Sequence, residues 1–286
     1  MKIYLLLITL LLSIQPIVAQ DSPPKPTITH VIVMTIDGAR PDAILQADTP
    51  VLHDLALTGA VDWESQTIDP SATVPAHTSL LTGLDPTEHL IVHNDYSTER
   101  VAQPTFISIA QAEGYRTAIV AGKEKFIQFH QDEDTYYEFV RTGDPGVTDK
   151  TIELLEEGYE VLFVHLPNTD FFGHLLGWMS DTYLYELRNT DANIGRIITA
   201  LDDLNIREST LLIITADHGG HDHGHGQGLP VDKTIPLIIN GVGIEPNTIL
   251  EDTNITQVAS TVLLALGLEP AEAMHEPLLE FMPSSD

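Results

Sequence analysis

Short apolar runs rich in β-branched residues, separated by stretches of helical periodicity, limit this chain to one broad architecture. Val31–Ile36, Val161–Leu166, Leu211–Thr215 and Ile235–Ile239 each read as a strand, with Thr117–Ala121 as a weaker fifth. Runs that are apolar at successive rather than alternate positions suit strands covered on both faces, as in a parallel sheet. Between them, Ser180 and Asp181 stand where a helix is capped, and Leu184, Leu187, Ile194, Ile197, Ile198, Leu201 and Leu204 follow at helical spacing. Ile255–Leu266 reads as a further helix, stopped by Gly267. Strands alternating with helices predict an α/β fold, a three-layer α/β/α sandwich around a mostly parallel central sheet. In such sheets ligands bind beyond the carboxyl ends of the strands.

Composition narrows the partners. The 286 residues include 13 Lys+Arg and 42 Asp+Glu, a net charge of −29, which argues against nucleic acid and anionic membrane surfaces as partners. Apolar residues make up 43% of the chain, enough for a sizeable core. The absence of Cys excludes a disulfide scaffold, a Cys-based zinc finger, an iron–sulfur centre and a thiol nucleophile.

Residues 1–19 have the form of a secretory signal peptide: a single Lys, a short apolar run from Ile3 to Ile14, Pro16, and a small residue at Ala19. The run is too short to span a bilayer, which takes about 20 apolar residues. The expected mature protein is exported, to the periplasm or the extracellular space, with no membrane span. Residues 20–286 then read as one large domain, with a small cap region at about 95–146.

Residues with ligating chemistry stand at the strand ends. Val31–Ile36 runs into Asp37, and Val161–Leu166 leads to Asp170 and His174. Leu211–Thr215 is followed by Asp217, His218, His221, Asp222, His223 and His225. A lone Asp after a strand is commonly a turn or cap residue, and a His-rich tract can be a surface metal scavenger. Three strand ends delivering at least three carboxylates and two imidazoles to one sheet edge instead suggest a metal centre, with donors that suit zinc and its first-row neighbours. Thr73 lies in a Ser/Thr-rich segment that opens a helix. Its hydroxyl is there either as a cap or as a nucleophile, since a helix N-terminus favours anions and a nearby cation lowers a hydroxyl pKa.

As an ordered set these segments resemble the alkaline phosphatase superfamily, most closely its type I phosphodiesterase/nucleotide pyrophosphatase branch. The resemblance runs from about Val31 to Leu278. VIVMTIDGARPD is similar to the opening metal strand, TVPAHTSLLTGLDPTEHLIVHN to the nucleophile block, PNTDFFGHLLGW to the Asp-x-x-Gly-His block and TADHGG to the Asp-His-Gly block. It implies two divalent metal ions, zinc being the expected one. Asp37, Thr73, Asp217 and His218 would hold one; Asp170, His174 and a further His would hold the other. HGQGLPVDKTIPLIINGVGI resembles the block that supplies this last ligand and points to His225, with His221 and His223 as alternatives. The long insertion that precedes this ligand in larger relatives is absent, and Ala76 stands where close relatives often carry Asn.

The implied activity is hydrolysis of phosphodiester or pyrophosphate bonds in a small-molecule phosphate ester. Thr73 is the nucleophile, a phospho-threonine is the intermediate, and Asn94 donates a hydrogen bond to a phosphoryl oxygen. Lys123 and Lys125 either line a solvated loop or bind phosphate oxygens. His77 and His89 match family positions and are expected to orient the nucleophile helix. A monoesterase or phosphonate hydrolase would use the same site. A sulfatase is disfavoured, because Thr73-Val-Pro-Ala-His lacks the Cys/Ser-x-Pro-x-Arg block of that class. A non-catalytic metal-binding module is disfavoured because no ligand or nucleophile is missing from the set.

Overall fold

The five runs read as strands all lie in one eight-stranded sheet. In chain order the strands are β1 (His30–Ile36), β2 (Ala60–Gln66), β3 (Thr117–Ala121), β4 (Tyr136–Phe139), β5 (Val161–Leu166), β6 (Thr210–Thr215), β7 (Thr234–Gly241) and β8 (Thr248–Ile249). The computed structural model describes residues 27–278, so the signal peptide expected at residues 1–19 lies outside the described residues. The sheet order is β4-β3-β5-β1-β6-β7-β2-β8. β5, β1 and β6 form the centre, in parallel register from Val31 opposite Val161 and Leu211. β3, β5 and β6 are buried along their whole length and β1 from its second residue, as strands with helices on both faces must be.

One strand runs against the rest. β7 pairs antiparallel with both β6 and β2, so the apolar run at Ile235–Ile239 reverses direction although its composition matches its neighbours. Pro236 is tolerated inside β7 because the register with β2 shifts between Asp62 and Ser65, opening a bulge opposite a residue that has no N–H to give. β2 was not apparent from the sequence. Its Ala60-Val-Asp-Trp-Glu-Ser-Gln66 mixes buried and exposed positions and lies one strand from the sheet edge.

Two helical layers cover the sheet. Pro41–Gln46, Pro50–Leu57, Asp144–Glu156, Asn168–Leu176 and Asp181–Asp203 pack together on one face; Thr73–Thr82, Phe106–Ala112 and Val258–Ala265 pack together on the other. The long helix begins as expected, with Ser180 accepting from the Tyr183 N–H. Its Asp191 is buried and accepts from the Val51 and Leu52 N–H groups, capping Pro50–Leu57. The helix read at Ile255–Leu266 opens with a 3₁₀ turn at Ile255–Gln257 before Val258–Ala265. Residues 95–146 contribute β3 and β4 to the sheet as well as the Phe106–Ala112 helix. Among the described residues no helix is long and apolar enough to cross a membrane.

Candidate metal and phosphoryl-transfer site

The parallel strands all deliver to the same edge. Asp37 ends β1, Lys123 follows β3, Asp170 and His174 lie on the Asn168–Leu176 helix after β5, and Asp217 and His218 follow β6. Thr73 opens the Thr73–Thr82 helix after β2, and His225 comes from the loop between β6 and β7. Asp37, Thr73, Asp170, Asp217 and His218 are buried. His174 is half-exposed, so the site opens to solvent on its side.

Of the seven expected ligands, all but Thr73 lie close to another. His218 Nε2 lies 3.6 Å from Asp37 Oδ1 and 3.3 Å from Asp217 Oδ2. Asp170 Oδ1 lies 3.3 Å from His174 Nε2 and 3.8 Å from His225 Nε2. Asp170, His174 and His225 make one group of donor atoms able to surround an ion; Asp37, Asp170 and His218 make another. The rings of His218 and His225 stack with centroids 3.7 Å apart. His221 is turned away, with Nδ1 2.7 Å from Asp232 Oδ1, and His223 points its Nδ1 at the His174 carbonyl. The structure therefore brings His225, rather than His221 or His223, to Asp170.

The hydrogen-bond pattern prepares these atoms for a cation. His174, His218 and His225 each donate Nδ1–H to a backbone carbonyl, those of His223, Gly219 and Ser71 at 2.9, 2.8 and 3.0 Å. All three are thereby set with Nε2 as a free lone pair, the form a metal ligand needs. Asp37 Oδ1, Asp170 Oδ1, Asp217 Oδ2 and His218 Nε2 are buried with no hydrogen-bond partner in the structure. Buried polar atoms are otherwise almost always paired, so this concentration of unpaired donors fits bound cations.

Lys123 bridges the two groups. Its Nζ lies 2.6 Å from Asp37 Oδ2, 2.7 Å from Asp170 Oδ2 and 3.4 Å from Thr73 Oγ1. It takes one oxygen of each carboxylate and leaves the other for an ion. Burial opposes its charge, but Asp37, Asp170 and Asp217 hold its pKa above the usual lysine range. Burial likewise pushes Asp37 up, yet Lys123 and the His165 hydrogen bond hold it well below the usual carboxylate value. Burial and the Asp37 charge push Asp217 up to about 7. Burial and nearby His218 bring His225 down to about 4.

The nucleophile helix is held from both sides. His77 donates Nδ1–H to the Thr73 carbonyl at 2.7 Å, and its Nε2 lies 2.9 Å from Thr35 Oγ1 on β1. His89 reaches Ser79 Oγ at 2.9 Å from the following turn. Asn94 Oδ1 accepts from the Val74 N–H at 2.9 Å and from Lys125 Nζ at 2.7 Å, which turns its amide nitrogen away from both. His165, in the middle of an apolar strand, and Asp232, which fixes His221 and the Gln227 N–H, were not singled out in the sequence. A polar residue inside Val-Leu-Phe-Val-His165-Leu was the available signal for the first.

A family model described as type I phosphodiesterase/nucleotide pyrophosphatase matches residues 31–128 and 111–232. The chain belongs to this family, within the alkaline phosphatase superfamily. Human GPI ethanolamine phosphate transferase 2, catalytic subunit, is 25% identical over 266 residues, 86% of this chain and 27% of that protein. The 2,3-bisphosphoglycerate-independent phosphoglycerate mutase of Pseudomonas fluorescens is 30% identical over 188 residues, 64% of this chain and 35% of the mutase. The chain thus spans about a third or less of these relatives. Among solved structures, an inactive Thr-to-Ala variant of murine ectonucleotide pyrophosphatase/phosphodiesterase 5 in complex with AMP matches with a TM-score of 0.74. It is 17% identical, covering 87% of this chain and 97% of that one. A 2-O GAG sulfatase matches at a TM-score of 0.71 and 15% identity, covering 89% and 73%. The chain's fold is shared with these neighbours.

Proposed function

We propose that this family member is an exported hydrolase of phosphoric ester bonds in small molecules, in which Thr73 attacks phosphorus. The observation that carries the reading is the set of unpaired buried atoms, Asp37 Oδ1, Asp170 Oδ1, Asp217 Oδ2 and His218 Nε2, around Lys123, whose ammonium links Asp37 and Asp170 to the Thr73 hydroxyl. The residues fit two divalent cations, with zinc suited to the mixed imidazole and carboxylate donors. One would be held by Asp37, Thr73, Asp217 and His218, the other by Asp170, His174 and His225. When bound, the ions supply Lewis acidity and neutralise charge on the transferring group.

The chain's own residues account for the remaining steps. The His77 and Asn94 contacts fix the first turn of the Thr73 helix, so the Thr73 oxygen is presented in one position. As Thr73 loses its proton, the Lys123 ammonium beside it stabilises the charge on Oγ1. Oγ1 bonds to phosphorus, the bond from phosphorus to the leaving oxygen breaks, and the leaving oxygen takes up the proton that Thr73 released. The Asn94 amide, its oxygen already engaged, donates to a phosphoryl oxygen, where negative charge is concentrated. Water then cleaves the phospho-threonine, its oxygen going to phosphate and its proton to Thr73. Phosphodiester or pyrophosphate bonds are the class the family's description supports, and AMP bound by the murine neighbour supports a small nucleotide-like ester. Residues 95–146 reach Thr73 through Lys123 and Asn94 through Lys125, and we assign leaving-group choice to this region.

The test is a side-by-side rate assay on zinc-loaded protein with an aryl phosphodiester, an aryl phosphomonoester and an aryl sulfate. Turnover of a phosphate ester should vanish in Thr73→Ala while zinc content persists. Turnover that survives in Thr73→Ala, or of the sulfate alone, would refute the reading.

A further inference from the structure

We propose that His223, at the tip of a tight hairpin between His218 and His225, is a positioning residue that clamps His174 for the ion held by Asp170, His174 and His225, and not for the other ion. The inference rests on the reading of these residues as metal ligands and deepens it.

Exposure singles out His174 among the three imidazoles. The side chains of His218 and His225 are 0% and 10% exposed and stack on each other, so packing fixes their rings. The His174 side chain is 45% exposed, in the last turn of its helix, where an unrestrained ring would sample several rotamers. Trp178 and His225 meet that ring at centroid distances of 5.0 and 5.1 Å, but their own N–H groups are engaged by the Gly38 and Ser71 carbonyls. Hydrogen bonds from elsewhere have to orient it.

The hairpin supplies them reciprocally. His174 donates Nδ1–H to the His223 carbonyl at 2.9 Å, and His223 donates its Nδ1–H to the His174 carbonyl at 3.1 Å. A carbonyl can only accept, so both Nδ1 atoms carry the proton, and His174 Nε2 is the lone pair 3.3 Å from Asp170 Oδ1. The Trp178 N–H adds a third bond, to the Asp222 carbonyl at 2.8 Å. The tip is rigid. His221 and Gly224 exchange two backbone bonds of 2.9 Å, and Asp222 takes φ +45°, a conformation Asp tolerates better than most residues. Below the tip, His221 Nδ1 is held by buried Asp232 at 2.7 Å, and Arg40 donates to the Gly220 carbonyl at 3.1 Å. The hairpin that joins His218 to His225 is therefore the same one that grips His174 from outside.

The experiment titrates the full chain with zinc against a chromophoric chelator. The wild-type protein should take up two equivalents. His223→Ala should weaken one of them about tenfold, the scale of an outer hydrogen-bond partner, and leave the other unchanged. His223→Asn places an amide nitrogen where Nδ1–H stood and should restore the affinity; His223→Gln, its nitrogen one bond further out, should not. In a His225→Ala background, where that ion has already lost a ligand, adding His223→Ala should leave the tighter remaining equivalent unchanged. Equal weakening of both equivalents or no effect of His223→Ala would overturn the proposal. So would a loss in His223→Asn as deep as in His223→Ala, which would make His223 a ligand itself. A wild-type chain that takes up no zinc would instead overturn the underlying reading of the metal centre.

Discussion

His165 donates Nε2–H to Asp37 Oδ2 at 2.7 Å, from β5 to the end of the adjacent β1. The tautomer is set by the other nitrogen, because Nδ1 accepts from the Gly122 N–H at 3.2 Å. Burial keeps the ring below its ordinary pKa and therefore neutral. His165 thus holds Asp37 by Oδ2 and leaves Oδ1 unpaired, available to the proposed ion. Partners of this kind typically contribute ten- to a hundredfold in metal affinity. His165→Ala should weaken zinc binding by about that factor, measured by competition with a chromophoric chelator. Unchanged affinity would sink the assignment.

Removing the cations should cost stability. Without them Asp37, Asp170 and Asp217 share one buried region with Lys123 as their bridging cation. An ion at about a hundred times its dissociation constant stabilises the folded state by roughly 2.7 kcal/mol. For a chain of this size that corresponds to several degrees in Tm, on the order of 5 °C. Chelator should lower Tm by that amount and added zinc should restore it, as followed by thermal unfolding. A Tm indifferent to chelator would argue against ions at this site.

Legibility in the sequence followed burial and strand position. β1, β5 and β6 announced themselves because both faces are covered, and the carboxylates that end them were visible as departures from apolar runs. β2 was hidden because Asp62, Glu64 and Gln66 break its pattern, and the reversal of β7 leaves no compositional trace. Likewise, the carbonyls of Ser71, Gly219 and His223 that fix the three imidazoles are backbone atoms, and no residue type marks them. The sequence pointed to His225 over His221 and His223 by resemblance alone; the contacts of His221 with Asp232 and of His225 with Asp170 are long-range and leave no mark in it.

Asp144 should give the fold a pH dependence separate from the metal site. It and Asn168 cap each other's helices, Asp144 Oδ1 accepting from the Asn168 N–H at 3.0 Å, while Thr190 donates to Oδ2. Burial raises its pKa from 3.8 to about 6, partly offset by these hydrogen bonds. The folded state therefore holds its proton where the unfolded chain has released it, so stability should fall as pH rises from about 4 to about 6. Two pH units correspond to roughly 3 kcal/mol. Urea unfolding across this range should show a shallower slope in Asp144→Asn, and identical slopes would contradict the prediction.

Gly220 packs the loop after β6 tightly on its support. A Cβ there would lie 2.2 Å from Trp178 Cε2, and Trp178 is itself fixed by donating Nε1–H to the Gly38 carbonyl at 2.9 Å. Gly173 meets the same ring from the helix that carries Asp170 and His174, with a Cβ distance of 2.7 Å. The indole is thus clamped among three segments, each bearing proposed ligands, and cannot yield without moving them. Overpacking of a rigid core typically costs about 1–3 kcal/mol. Gly220→Ala should lose that much stability and also bind zinc more weakly, because displacement of Trp178 disturbs Asp37, Asp170 and His218 together. Gly114→Ala, at a position where a Cβ meets nothing within 4 Å although φ is +94°, is the control for backbone strain alone. It should lose stability with zinc affinity unchanged, and weaker zinc binding in that control would remove the argument from packing.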